Sequence, residues 1–131
     1  MEAIFKDEVF YITGSSGGIG FATAKLCIEK GATVVITGRD ADNLKNAEAE
    51  LLKVSPKVIA HNVDVSNELA IIESLNEVYK SFGRIDGLVN NAPSIHTGKI
   101  TDLSLSAWKT NFKANLDAVF LATKTVLPWM I

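Results

Sequence analysis

Short runs of β-branched and aromatic residues alternate along this chain with longer stretches in which apolar side chains recur every three or four positions. That alternation predicts strands separated by amphipathic helices, the βαβ pattern of a parallel sheet. Strands are expected over residues 9–13, 33–37, 57–62 and 85–90, and helices over 18–30, 41–54, 66–82 and 104–128. Gly31 and Gly83 should end the first and third helices in the left-handed conformation, and Pro56 separates the second helix from the third strand. Ser66 is the expected N-cap of the third helix, with Glu68 in its first turn. Ile19, Ala22, Leu26 and their neighbours recur at helical spacing in the first helix. In the last helix the apolar stripe comprises Trp108, Phe112, Leu116, Val119, Phe120 and Leu127. No internal repeat or low-complexity tract interrupts this order, so residues 1–131 read as one domain or part of one.

Composition narrows the picture only modestly. A net charge of −2 gives no basic surface for nucleic acid or anionic lipid. No apolar run reaches the ~18 to 20 residues that span a bilayer, and the segment carrying Glu2 and Asp7 does not look like a secretory signal. The single cysteine, Cys27, excludes an internal disulfide and suits a reducing cytoplasm. It lies in an apolar helical stretch, where a buried structural thiol is expected. His61 and His96 have no carboxylate at ligand spacing, so no metal site is expected. Mean hydropathy is +0.19, high for one small domain.

Candidate chemistry begins at Thr13-Gly14-Ser15-Ser16-Gly17-Gly18-Ile19-Gly20, between the first strand and the first helix. Glycines there permit a sharp turn and close approach of a pyrophosphate, and the following helix offers unpaired N–H groups to its charge. The spacing is G-x-x-x-G-x-G, not G-x-G-x-x-G. Three further stretches follow: Asp64-Val65-Ser66 after the third strand, Asn90-Asn91-Ala92 at the end of the fourth, and Asn115-Leu116-Asp117-Ala118-Val119-Phe120 in the last helix. In order and separation, all four resemble the motifs of the short-chain dehydrogenase/reductase family, over essentially the whole chain. Epimerase-type relatives usually space the turn G-x-x-G-x-x-G, which this chain does not.

The resemblance implies a Rossmann-like, doubly wound parallel sheet, of which this chain would supply strands in the order 3-2-1-4. It implies that Gly14, Ser15, Ser16, Gly17, Ile19 and Gly20 hold a cofactor pyrophosphate, that Asp64 and Val65 meet its adenine, and that Asn91 and Ala92 meet its riboses. Thr13 would tie the first strand to the fourth through its hydroxyl. Asn115 would position a water in the catalytic proton relay, the alternative being a solvent-facing helix residue. NAD-binding relatives usually place an acid at the end of the second strand to bond the ribose 2′-hydroxyl. Here that position is Gly38, followed by Arg39, whose guanidinium can pair with a 2′-phosphate. NADP(H) is therefore expected over NAD(H), unless Arg39 is a surface residue paired with Asp40 or Asp42.

Two departures qualify the resemblance. Pro93 stands where the family usually has glycine, with φ fixed near −65° and no N–H, beside the expected nicotinamide site. The family's catalytic serine and its Tyr-x-x-x-Lys pair are absent from these residues, since Ser15 follows Tyr11 by four positions and Gly83 follows Tyr79 by four. The expectation is an oxidoreductase's NADP-binding portion, acting on a carbonyl or alcohol in the complete enzyme and nearly inert alone. The alternative is a non-catalytic dinucleotide- or partner-binding module. With its fourth strand left as an edge, the chain is expected to self-associate or to meet a partner chain over that strand and the last helix.

Overall fold

The computed structural model describes residues 2–93 and 95–131. Its strands β1 (Val9–Ile12), β2 (Thr33–Gly38), β3 (Val58–Asn62) and β4 (Gly87–Val89) alternate with helices α1 (Gly18–Glu29), α2 (Ala41–Leu52) and α3 (Glu68–Phe82). Helix α4 (Leu105–Phe112) then runs through a π-helical turn (Lys113–Asp117) into α5 (Ala118–Met130). The four strands form one parallel sheet in the order β3-β2-β1-β4. Alternation along each strand sends neighbouring side chains to opposite faces. Ile12, Val34 and Ile36 pack with Ala24 and Ile28 of α1 and with Leu44, Ala47 and Leu51 of α2. Tyr11 and Val35 pack on the other face with Ile71, Leu75 and Val78 of α3 and with Ala118, Ala122 and Val126 of α5. The sheet is covered on both faces, as a doubly wound fold requires.

Several expectations need correction. α1 turns Gly20, Ala24 and Ile28 inward, while Ile19, Ala22 and Leu26 are exposed. α5 and the turn before it bury Ala114, Ala118, Ala122 and Val126, and the stripe of Trp108, Phe112, Leu116, Val119, Phe120 and Leu127 is outside, on the helix expected to meet a partner. Both inward faces are mostly small, Gly20 and Ala24 in α1 and Ala114, Ala118 and Ala122 before and in α5. α3 is capped by Asn67, whose carboxamide accepts from Ala70 N at 3.1 Å; Ser66 instead bonds Asp64. The last helix contains the π turn that periodicity did not reveal, and β4 is three residues long. Gly31 and Gly83 have φ of +97° and +72°, as helix-ending glycines should. Cys27 is half-buried, and burial raises its thiol pKa, which suppresses the nucleophilic thiolate.

Candidate dinucleotide-binding cleft

The C-terminal ends of β1 and β4 are fastened together by one hydroxyl. Thr13 Oγ1 accepts from the amides of Asn91 at 2.9 Å and Ala92 at 3.0 Å, and its own amide donates to Val89 O at 3.0 Å. This pulls the segment after β4 against the glycine-rich turn. Gly14 has φ +61°, and a Cβ there would lie 2.6 Å from Ala92 Cα. A Cβ on Gly20 would lie 2.6 Å from Gly14 O and 2.5 Å from the Asn91 carboxamide nitrogen, which itself donates to Gly14 O at 3.0 Å. Only glycine fits either place, so the turn is built for close backbone approach.

The three other helices that begin after a loop each have a side chain capping the first turn: Asp40 for α2, Asn67 for α3 and Ser104 for α4. α1 does not. Its N-cap is Gly17, with no side-chain bond and no acidic residue in the first turn. The uncapped end borders an open cleft lined by Gly14, Ser16, Gly17, Gly38, Arg39, Val63, Asp64, Val65, Ala92 and Pro93. Unpaired amides and the helix dipole make such an end a receptor for an anion.

Charge within the cleft is unequal. Arg39 is exposed and, among the described residues, makes no ion pair. The alternative pairing with Asp40 or Asp42 does not form, and Asp40 spends its carboxylate on Asn43 N at 2.9 Å. Asp64 Oδ1 accepts from the Ser66 hydroxyl at 2.7 Å and the Ser66 amide at 2.9 Å. Those bonds, with a smaller contribution from the Arg39 charge, hold the Asp64 carboxyl below its ordinary pKa. Asp64 is thus fixed as an anionic acceptor at the cleft wall. Gly38 presents no side chain, and its carbonyl is held by Asn62 Nδ2 at 2.7 Å.

This geometry belongs to a recognisable group. A model of the short chain dehydrogenase family matches residues 8–131. The chain is a member of the short-chain dehydrogenase/reductase family. It is 32% identical over 128 residues to an uncharacterised oxidoreductase of Staphylococcus aureus, covering 98% of this chain and 54% of that protein. An uncharacterised oxidoreductase of Staphylococcus epidermidis is 34% identical over 126 residues, with 96% and 54% covered. The chain therefore spans about half the length of the curated relatives it matches.

Among solved structures, a metagenomic short-chain oxidoreductase in complex with NADP superposes with a TM-score of 0.90 at 32% identity, covering 96% of this chain and 57% of that one. L-sorbose reductase from Gluconobacter frateurii, complexed with NADPH and L-sorbose, gives 0.91 at 30%, covering 99% and 50%. An NAD⁺-bound xylitol dehydrogenase gives 0.89 at 28%, covering 97% and 49%. Both nicotinamide cofactors thus occur among structures similar to this family member, and the resemblance alone does not choose between them.

Of the residues singled out from the family motifs, Gly14, Ser16, Gly17, Arg39, Asp64, Val65 and Ala92 line the cleft. Asn91 lies behind it, holding Gly14, and Gly20 is buried under the turn. Ile19 is exposed on the first turn of α1. Ser15 departs from expectation as a phosphate ligand. Its hydroxyl donates to Ile12 O at 2.7 Å and accepts from Thr37 N at 2.9 Å, and its amide donates to Thr37 O at 2.9 Å. The hydroxyl donor goes to β1 and the amide donor to β2, so both are used in joining the turn to the sheet, and Ser15 is a scaffold residue.

Asn115 sits in the middle of the π turn and is exposed. Such turns insert one extra residue into a helix and often mark functional positions. Tyr11 is fully buried, with its hydroxyl bonded to Ser74 Oγ at 2.7 Å, and burial pushes its pKa up to about 12. That is the opposite of what a general acid needs near neutrality.

Sequence reasoning missed Thr37, which accepts from Gly14 N at 3.3 Å, and Asn111, which holds the loop after β4. Thr37 ends a strand and carried only its β-propensity; nothing in the local pattern marks Asn111. Ser94, at the start of the loop expected to border substrate, lies outside the described residues. Among the described residues no three metal-ligating side chains converge, and no helix is long and apolar enough to cross a membrane.

Proposed function

We propose that this chain is the NADP(H)-binding portion of a short-chain oxidoreductase that moves hydride between nicotinamide and a carbonyl or alcohol substrate. Arg39 carries the cofactor choice. Its guanidinium at the cleft makes no ion pair among the described residues, next to a glycine where an acid would repel a 2′-phosphate. The uncapped end of α1, open at Gly17 and Gly18 and facing the cleft, fits a diphosphate. In this reading Gly14, Ser16, Gly17 and the first turn of α1 through Ile19 and Gly20 hold the pyrophosphate, while Ser15 braces the turn. Asp64 accepts from the adenine amino group and the Val65 backbone meets the ring. Asn91 and Ala92 border the riboses, and Asn115 orders a water that relays a proton. The cofactor, when bound, supplies or accepts the hydride.

The family's Tyr-x-x-x-Lys acid is not among these residues, and neither tyrosine here has that spacing. Turnover is expected where that pair is supplied, since a general acid contributes typically ~100- to 10,000-fold. A further surface, from the same protein or another copy, is expected over β4 and the outer stripe of α4 and α5. The single cysteine suits a cytoplasmic setting.

Calorimetric titration with NADPH and NADH tests the reading. Wild type should prefer NADPH, and Arg39→Ala should lose about ten- to a hundredfold in NADPH affinity, from a charge-assisted contact of roughly 1.5 to 3 kcal/mol, with NADH little changed. Equal losses for both cofactors would defeat the assignment of Arg39.

A further inference from the structure

Among the hydrogen bonds that hold the chain after β4, two sets lie on either side of Pro93. The first tether is Thr13, which accepts from the amides of Asn91 and Ala92. The second comes from α4. The carboxamide of Asn111 accepts from His96 N at 2.8 Å and donates to His96 O at 3.0 Å. An amide side chain here supplies the donor and acceptor that a neighbouring strand would supply, and it holds the backbone of one loop residue in a fixed orientation. These hydrogen bonds join residues 95–103 to α4, while others in that stretch are internal, such as Asp102 N and Leu103 N to Lys99 O.

Between the tethers lies Pro93, which lines the cleft. Proline is rigid in φ and offers no N–H, so it cannot anchor itself by its own amide. Thr13 holds the residue before it, and Asn111 holds the chain three residues after it, at His96. Asn111 also stands one helical turn before Asn115, at the approach to the π turn. The loop and the turn are therefore held in register by the same helix.

We propose that Asn111 is a positioning residue that holds the Pro93 segment against the nicotinamide end of the cleft, and so sets affinity for that half of the cofactor. This rests on the NADP(H) reading. The adenosine end is built on other elements, with Arg39 after β2 and Asp64 after β3, and Asn111 bonds neither.

The test compares wild type, Asn111→Ala and His96→Pro in titrations with NADPH and with 2′,5′-ADP, which carries the adenosine half alone. His96→Pro removes the loop's donor from an exposed residue and leaves α4 untouched, so it reads the tether even if the helix variant folds poorly. Both variants are expected to bind NADPH about tenfold more weakly, in line with loss of one or two neutral hydrogen bonds. Binding of 2′,5′-ADP should stay within about twofold, a split that general destabilisation would not produce. Amide exchange over residues 95–103 should also quicken. If wild type binds both ligands and the variants lose both equally or neither, the role given to Asn111 is wrong and the cofactor reading stands. If wild type binds neither ligand, the cofactor reading fails, and this inference with it.

Discussion

At the scale of single residues, the cleft depends on a few atoms whose work is structural. Thr13 is 3% exposed, and its hydroxyl oxygen takes two amides from the segment after β4. Thr13→Val keeps the shape but leaves those amides without their acceptor. Unsatisfied buried donors cost roughly 1 to 3 kcal/mol, so the urea midpoint should fall and NADPH uptake weaken. An unchanged midpoint would show that water replaces the hydroxyl at no cost. The sequence made Thr13, Gly14, Arg39 and Asp64 legible, because each belongs to a motif whose neighbours in sequence are also its neighbours in space. It gave no sign that Ser15 turns away from the cleft. That depends on where Thr37 lies, 22 positions along the chain.

At the scale of elements, strands were readable and helix faces were not. Parallel pairing follows from the βαβ rhythm and strand order from the family resemblance, and Val9↔Thr33 and Phe10↔Gly87 fix the register on either side of β1. One polar lock supports the β1–β4 pairing from below. Asp86 Oδ2 accepts from Val9 N at 2.8 Å, and the Arg84 guanidinium grips both carboxylate oxygens at 2.7 and 2.8 Å. The Arg84 bond, opposed by burial and helped by Val9 N, lowers the Asp86 pKa below its ordinary value. A carboxyl whose folded pKa is depressed stabilises the fold above its unfolded pKa, about 3.9, and loses that contribution as pH falls through the folded value. Stability measured by urea unfolding should thus decline below about pH 4. Asp86→Asn should be less stable than wild type at pH 7 and lose less on acidification. Parallel curves for the two proteins would rule out Asp86 as a contributor to the acid response.

At the scale of the whole molecule, two surfaces stand open. β4 is the edge of the sheet, and α4 through α5 shows an outward apolar stripe with Leu116 58% and Phe120 61% exposed. An unpaired strand edge and a contiguous apolar face both favour association. Sedimentation velocity across a dilution series should reveal concentration-dependent association, reduced in a Leu116→Lys, Phe120→Glu variant. A wild-type protein that stays monomeric and folded at every concentration would contradict this. The high mean hydropathy read from the sequence has its counterpart in this exposed stripe, on the helix expected to meet a partner or a second copy.

The residues alone determined the parallel α/β architecture, the glycine turn and the motif positions that border the cleft, because strand alternation and tight turns are written in neighbouring residues. Only the tertiary structure decided which face of α1 and α5 is inside, that the last helix contains a π turn, and that Asn111 reaches His96. Those outcomes depend on how closely a helix can lie on the sheet and on which atoms 15 or more positions apart are brought within bonding distance. Such contacts have no local signature.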